Sequence, residues 1–252
     1  MQLQLMYEKP GTRLYERSGF QITNRDVEIC KFILEMKFST AKEIYRRFFQ
    51  FTLLGTQSTG IRAALKRLMI LEKRGLLAAK TYFQSKQKIY FATQKSLKLI
   101  SALRPASILP YPIKNVDIRT FEHDDLLIKL RGILEDRFGA KDWISEKVLR
   151  EFPELCSDLD ESQIPDAIYI NAEGEKIAFE LEISLKSPSN YREKIRRYMN
   201  YLRSNNSDKA FSKIHFVCTK DIVKKHLESE ARIYQEIFKI EKIENLIPNY
   251  TK

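Results

Sequence analysis

Two capping patterns near the start of the chain are each followed by apolar residues at helical spacing. Thr23, with Asp26 three residues later, begins the first predicted helix, and Thr40, with Glu43, begins the second. The apolar residues of each segment fall on one side of a helix: Val27, Cys30, Ile33 and Leu34 in the first, and Ile44, Tyr45 and Phe48 in the second. The pattern predicts two amphipathic helices, each with one buried face.

A third predicted helix begins near Ser58 or Thr59 and ends at Gly75. Lys73 and Arg74 lie in its last turn, where cations and a following glycine are the usual signs of a helix end. The apolar spacing predicts that four side chains of this helix point into the core: Ile61, Leu65, Leu68 and Met69.

The pattern changes from helical to alternating after the third helix. Residues 76–83 and 89–93 are predicted strands joined by the polar turn 84–87, and a short helix follows over residues 94–103. Three helices followed by a hairpin are the order of elements in a winged helix-turn-helix. A DNA-binding domain of this type is therefore predicted over residues 20–103.

The second half of the chain begins after a segment punctuated by prolines. Residues 104–119 have little periodicity and are predicted to be a linker, and a second domain is predicted over residues 120–245. Its predicted elements are a helix over 120–138, strands over 143–148, 166–170 and 176–185, a helix over 191–202, a strand over 213–219 and a helix over 221–238. This order predicts an α/β domain, so the expected fold class of the whole chain is α+β.

The net positive charge of the chain comes from its first half. Residues 1–120 contain 22 lysines and arginines against eight acidic residues, whereas residues 121–252 contain 22 against 25. A basic first half is the expected footprint of a polyanionic partner, because phosphate neutralisation dominates affinity for nucleic acids. Double-stranded DNA is therefore the predicted partner.

The expected DNA contacts lie on the third helix and at the tip of the hairpin. In a helix-turn-helix the second helix of the pair enters the major groove, and here that is the helix from Ser58. The candidate contacts are Ser58, Thr59, Arg62, Lys66 and Arg67 on the helix, and Lys86 and Lys88 on the hairpin, which would be the wing. The alternative is a solvated basic helix beside a structural hairpin.

Carboxylates line one face of a strand in the second half. Alternation places Glu180 and Glu182 on the same face of the predicted strand as Ser184 and Lys186, and Asp166 lies on the preceding strand. Stacked like charges repel, and a divalent cation would relieve that repulsion. Magnesium or manganese held by Asp166 and Glu180 is one expectation. The alternative is ion pairing with cations of the following helix: Arg192, Lys194, Arg196 and Arg197.

This half resembles the PD-(D/E)XK nuclease fold. Asp166 after a proline matches the first acid of that family and Glu180 the second, and the order of elements matches an α-β-β-β-α-β core. The family's lysine falls at Glu182 instead, which leaves Lys186 or Lys194 to serve in its place. The resemblance implies that these five residues are catalytic if the domain is active; Glu122 is a further supporting acid. Many relatives keep the fold for assembly or binding without catalysis.

The two halves together resemble the replication-relaxation family, plasmid and mobile-element proteins related to mobilisation protein C. The motifs that carry the resemblance are residues 89–93, the Pro165-Asp166-Ala167 step, residues 180–201, His123 and Trp143. The resemblance implies DNA binding in replication, conjugative transfer or transcription regulation of a mobile element. It also implies a bacterial host, and a homodimer or a mobile-element protein as further partners.

Three functions from different classes remain open. The first is a DNA-binding accessory or regulatory protein whose second domain is catalytically silent and serves assembly. The second is a metal-dependent DNA endonuclease directed by its winged helix, and the third is an interaction protein whose basic face binds something other than DNA. Three scattered cysteines and no long apolar run predict a cytoplasmic protein with reduced thiols and no membrane partner. The first function is the favoured expectation.

Overall fold

Two units divide the chain, Met1–Asn115 and Val116–Lys252. The division falls inside the segment predicted to be a linker, residues 104–119. The structure is a computed structural model, and it describes residues 14–15, 21–51, 60–82, 87–156, 159–204, 209–248 and 250. Each unit combines helices with β-sheet, so the chain is an α+β protein.

The N-terminal unit contains four helices and five short strands among its described residues. In chain order they are β1 (Leu14–Tyr15), β2 (Gln21–Ile22), α1 (Asn24–Glu35), β3 (Ser39–Thr40), α2 (Ala41–Phe48), α3 (Arg62–Lys73), β4 (Leu77–Tyr82), β5 (Gln87–Ala92) and α4 (Gln94–Leu103). Strands β4 and β5 form the predicted antiparallel hairpin, and β3 pairs antiparallel with β5 on its other side. Strand β3 has only two residues, and the periodicity of the sequence did not predict it.

The capping patterns of the sequence begin the first two helices as predicted. The Thr23 and Asp26 side chains exchange hydrogen bonds with each other's backbone N–H groups, which is a complete capping box. The Thr40 hydroxyl accepts the backbone N–H of Glu43 at 3.2 Å. Both bonds satisfy donors that a helix leaves unpaired in its first turn, which explains why α1 and α2 begin where they do.

The buried face of α3 differs from the prediction. Leu68 is buried as predicted and Ile61 is partly buried, but Leu65 and Met69 are exposed, and Ala64 and Leu71 are buried in their place. Both sets have helical spacing and share Leu68, so periodicity alone does not separate them. The small side chain of Ala64 allows the neighbouring elements to approach this side of the helix closely.

A buried ion pair fixes the rotation of α3 against α1. Arg67 Nε donates to Asp26 Oδ1 at 2.7 Å, its terminal nitrogen bonds the other carboxylate oxygen, and the same nitrogen donates to the Gln21 carbonyl at 2.7 Å. Asp26 is almost fully buried. Its carboxylate therefore completes the α1 capping box and anchors α3 at once, and a bidentate arginine is the geometry that suits it best.

The C-terminal unit is built on one mixed five-stranded sheet. Its helices and strands are α5 (Phe121–Phe138), β6 (Lys141–Ser145), α6 (Glu146–Glu151), β7 (Ala167–Ile170), β8 (Lys176–Glu182), α7 (Pro188–Arg203), β9 (Lys213–Cys218), α8 (Asp221–Ala231), β10 (Phe238–Lys242) and α9 (Ile243–Leu246). The strand order is β10-β9-β8-β7-β6. Strands β6, β7 and β8 are antiparallel neighbours, and β8, β9 and β10 are parallel.

Two predicted strands of this unit end earlier than expected. The strand predicted over residues 143–148 spans Lys141–Ser145, and the chain then continues directly as α6. Strand β8 ends at Glu182 rather than at Leu185, so Ser184 and Lys186 lie beyond the strand. Ser187 caps α7 and Pro188 occupies its first turn, which requires the chain to leave the sheet before that point.

The last predicted helix is also shorter than expected. It was predicted over residues 221–238, but α8 ends at Ala231, and Phe238 begins strand β10. Strand β10 pairs in parallel with β9 along its whole length. Because β9 is distant from β10 in sequence, the local pattern of residues gave no indication of this strand.

Side chains from both faces of β8 are buried. One face packs with α7 and α8 in a cluster that includes Ala178, Tyr198 and Phe216. On the other face the Phe179 ring lies against Trp143, with 5.4 Å between the ring centroids. Because β8 is central and covered on both sides, Glu180 and Glu182 are removed from water. No described helix is long and apolar enough to cross a membrane.

We predict that Asp26→Ala destabilises the N-terminal unit by about 3 kcal/mol, because it leaves Arg67 without its carboxylate and removes the Asp26 half of the α1 capping box. The measurement is urea unfolding of the full chain, followed by circular dichroism and by fluorescence of Trp143, the single tryptophan. Trp143 lies in the C-terminal unit, so its transition serves as an internal reference. Glu72→Ala, which removes only an exposed pair with Lys88, is the control. Equal stability of the two variants would contradict the role given to Asp26.

Candidate functional site

Two of the predicted DNA contacts lie on the exposed face of α3. Arg62 and Lys66 are one helical turn apart, and both are exposed. Neither side chain pairs with a carboxylate anywhere in the described part of the chain. Their positive charges are therefore available to a partner outside the chain.

Two other predicted contacts are already engaged within the N-terminal unit. Arg67 is held by Asp26 and the Gln21 carbonyl. Lys88 Nζ lies 2.8 Å from Glu72 Oε2, and this pairing raises the pKa of Lys88. The remaining three predicted contacts lie outside the described residues: Ser58, Thr59 and Lys86. The predicted contacts in the described residues thus fall into two groups. Arg67 and Lys88 are paired within the unit, whereas Arg62 and Lys66 face solvent.

The carboxylates of the C-terminal unit lie together, as the alternation of β8 predicted. Asp166 immediately precedes β7, and its Oδ2 accepts the backbone N–H of Leu181 on β8 at 2.7 Å. The same oxygen lies 3.1 Å from His123 Nε2 on α5. One carboxylate thereby ties a helix and two strands together at a single point.

Lys194 of α7 lies between the two glutamates of β8. Its Nζ is 2.8 Å from Glu180 Oε2 and 2.7 Å from Glu182 Oε1. Lys186 Nζ is 2.9 Å from the other oxygen of Glu182, and the Tyr198 hydroxyl donates to Glu180 Oε1. All four oxygens of the glutamates thus have a partner from this chain.

The pKa values of the cluster depend on burial, which disfavours charged forms, and on the opposite charges of neighbouring side chains, which favour them. Burial and the neighbouring Asp166 carboxylate raise the pKa of Glu180 to about 7, against the opposite effect of Lys194. Although burial opposes its charge, the three surrounding carboxylates raise the pKa of Lys194. Burial likewise lowers the pKa of His123, but hydrogen bonds to Asp124 and Asp166 outweigh it and raise that pKa to about 10. The cations of the cluster are therefore held in their charged forms.

The arrangement does not fit a divalent cation. Such an ion takes oxygen ligands that converge on one point, and magnesium typically uses one or two carboxylates among them. Here Lys194 occupies the space between Glu180 and Glu182, and Asp166 is bonded to His123 and to the Leu181 N–H. No group of three or more His, Cys, Asp or Glu side chains able to hold a metal occurs within the described ranges. As arranged, the cluster neutralises charge and joins elements of the fold.

The other sequence candidates lie outside this cluster. Glu122 is exposed on α5, and Arg192 pairs with Glu230 at 3.2 Å instead of with the β8 glutamates. Sequence reasoning gave no site role to His123 or Tyr198. Tyr198 follows Lys194 by four residues, so helical spacing places both on one face of α7, which was a usable signal. His123 reaches Asp166 across the fold, and no local spacing indicates that contact.

We predict that Lys194→Met destabilises the C-terminal unit by about 3–5 kcal/mol, because two buried carboxylates lose their shared cation. The transition of Trp143 fluorescence in urea measures the loss. Lys224→Met removes an exposed pair with Glu228 and is the matched control.

Removing a charge should restore part of this stability. Glu182→Gln in the Lys194→Met background leaves one fewer buried carboxylate, so the double variant should be more stable than the single one. A double variant that is less stable than Lys194→Met would contradict the proposed pairing.

No family model matches the sequence, and neither curated proteins nor solved structures give a significant match. Inference about function therefore rests on the chain's own sequence and on the geometry of its residues.

Proposed function

We propose that the chain is a DNA-binding accessory or regulatory protein whose N-terminal unit binds double-stranded DNA as a winged helix-turn-helix. The observation that carries the proposal is the pair of exposed cations on α3, Arg62 and Lys66, which have no carboxylate partner among the described residues. A helix that presents such cations to solvent matches the phosphates and guanine edges of a major groove.

The topology of the N-terminal unit supports this assignment. Helices α1, α2 and α3 are followed by the β4–β5 hairpin, and β3 between α1 and α2 adds a third strand to that hairpin. This is the order of elements in winged helix-turn-helix domains. In that arrangement α3 is the recognition helix and the hairpin is the wing.

The C-terminal unit is proposed to be a PD-(D/E)XK-like domain that does not cut DNA. Its order of elements, from α5 through the β6–β7–β8 meander to α7 and the parallel strand β9, agrees with that core. Asp166 and Glu180 lie in one cluster, as the resemblance implies. Lys194 and His123 pair with these carboxylates, which favours a catalytically silent domain. The role proposed for it is assembly, either of a homodimer or with another protein.

The biological setting follows from the resemblance of the sequence to replication-relaxation proteins. We propose a role in replication, mobilisation or transcription control of a plasmid or other mobile element in the bacterial cytoplasm. In this role the N-terminal unit binds the target DNA site, and the C-terminal unit supplies the surface for assembly.

We predict that Arg62→Ala with Lys66→Ala weakens DNA binding by several kcal/mol in total, at about 1–3 kcal/mol per base contact. A gel-shift titration at several salt concentrations measures this loss, and the salt slope should fall because fewer phosphates are neutralised. Lys141→Ala with Lys176→Ala removes the same charge from exposed positions of the C-terminal unit and is the control. Unchanged affinity of the α3 variant would refute the assignment of α3.

We predict that the purified chain does not nick supercoiled plasmid in the presence of magnesium or manganese, because the carboxylates that would hold the ion are bonded to Lys194 and His123. The measurement is conversion of plasmid to the relaxed form, with Asp166→Ala as the companion variant. Metal-dependent nicking that Asp166→Ala abolishes would instead establish the endonuclease function.

A further inference from the structure

Four exposed side chains form a continuous stripe along α3. Arg62, Leu65, Lys66 and Met69 are spaced by three, one and three residues, which places them on one side of a helix. Leu65 is 42% exposed and Met69 is 61% exposed. Single exposed apolar residues are ordinary, but these two adjoin the cations proposed to contact DNA.

The core of the N-terminal unit does not use the apolar part of this stripe. Ala64, Leu68 and Leu71 are the buried residues of α3, and the Asp26–Arg67 pair fixes the helix in that rotation. Leu65 and Met69 are therefore held away from the core by the same contacts that orient α3. Their exposure follows from the packing of the unit.

The neighbouring charges indicate which partner would cover Leu65 and Met69. A two-fold contact between copies of this chain through α3 would bring Arg62 and Lys66 close to the same residues of the second copy, and like charges would repel. The major groove of DNA has the opposite charge. It also offers an apolar group, the 5-methyl of thymine, beside the acceptor edges of guanine.

We propose that Leu65 and Met69 contact thymine 5-methyl groups in the major groove and so select thymine-containing target sites. This inference rests on the proposed DNA-binding function and adds the base that the apolar side chains recognise. Four helical residues span about 6 Å along the axis. Successive bases of one strand are spaced by about 3.4 Å, so the two methyl groups should lie about two base steps apart.

The test begins with selection of preferred sites. The full chain is incubated with a pool of short random-sequence duplexes, and the bound fraction is sequenced. Each thymine of the preferred site is then replaced by deoxyuridine, which removes the 5-methyl group and leaves base pairing intact. Loss of one buried methyl should weaken binding about fourfold, and this effect should appear at two positions of the site.

Two variants connect this effect to the side chains. Leu65→Ala with Met69→Ala should bind the thymine and deoxyuridine duplexes equally while keeping the salt slope of the wild-type chain. Ile108→Ala alters another apolar residue of the same exposed fraction as Leu65, 42%, and should keep the thymine preference. Circular dichroism verifies that the variants are folded.

The possible results separate this inference from the proposed function. Wild-type binding that depends on Arg62 and Lys66 but is the same for thymine and deoxyuridine would overturn the thymine contact and leave DNA binding standing. Absence of salt-dependent binding to any duplex would overturn both. If Leu65→Ala with Met69→Ala instead converts an oligomer to a monomer and leaves the thymine preference unchanged, the stripe is a protein interface and the inference is wrong.

Discussion

The C-terminal unit depends on one largely buried ammonium group. Lys194 of α7 neutralises Glu180 and Glu182 of β8, and without it two carboxylates would lie side by side in the interior. Removing a charge from water costs several kcal/mol, and only close partners offset that cost. The position of α7 on the sheet is therefore set by charge as well as by apolar packing. Tyr198, one turn later, completes the contact by donating to Glu180.

Much of this cluster could be predicted from the sequence. Alternation along β8 identified Glu180 and Glu182 as neighbours on one face, and pairing with a cation of the following helix was among the alternatives. Lys194 was among the predicted partners, but its selection over Arg192, Arg196 and Arg197 could not be predicted, because it depends on the helical phase set by the Ser187 cap and Pro188. The contact between His123 and Asp166 joins residues that are far apart in sequence, and local patterns contain no information about it.

In the N-terminal unit, too, local patterns predicted local structure but not contacts between residues distant in sequence. Capping patterns located α1 and α2, and alternation located the β4–β5 hairpin, because these signals act over a few residues. The predicted buried face of α3 is wrong in part, because two overlapping sets of apolar residues both have helical spacing. Which set is buried depends on packing against the rest of the core. Strands β3 and β10 were missed for a related reason: their pairing with β5 and β9 is the cause of their extended form.

Some cations of the chain are paired with carboxylates and others face solvent, and this division bears on function more directly than the net charge does. In the C-terminal unit Lys194, Lys186 and Arg192 are paired with carboxylates, so they add little to an external field. In the N-terminal unit Arg67 and Lys88 are similarly engaged. The cations on the outer face of α3 differ, because no carboxylate of the described residues pairs with them. A count of lysines and arginines treats all of these residues alike, whereas the fold decides which of them can meet a phosphate. Among the described residues, the proposed DNA contact centres on one face of α3, where a few substitutions can test it.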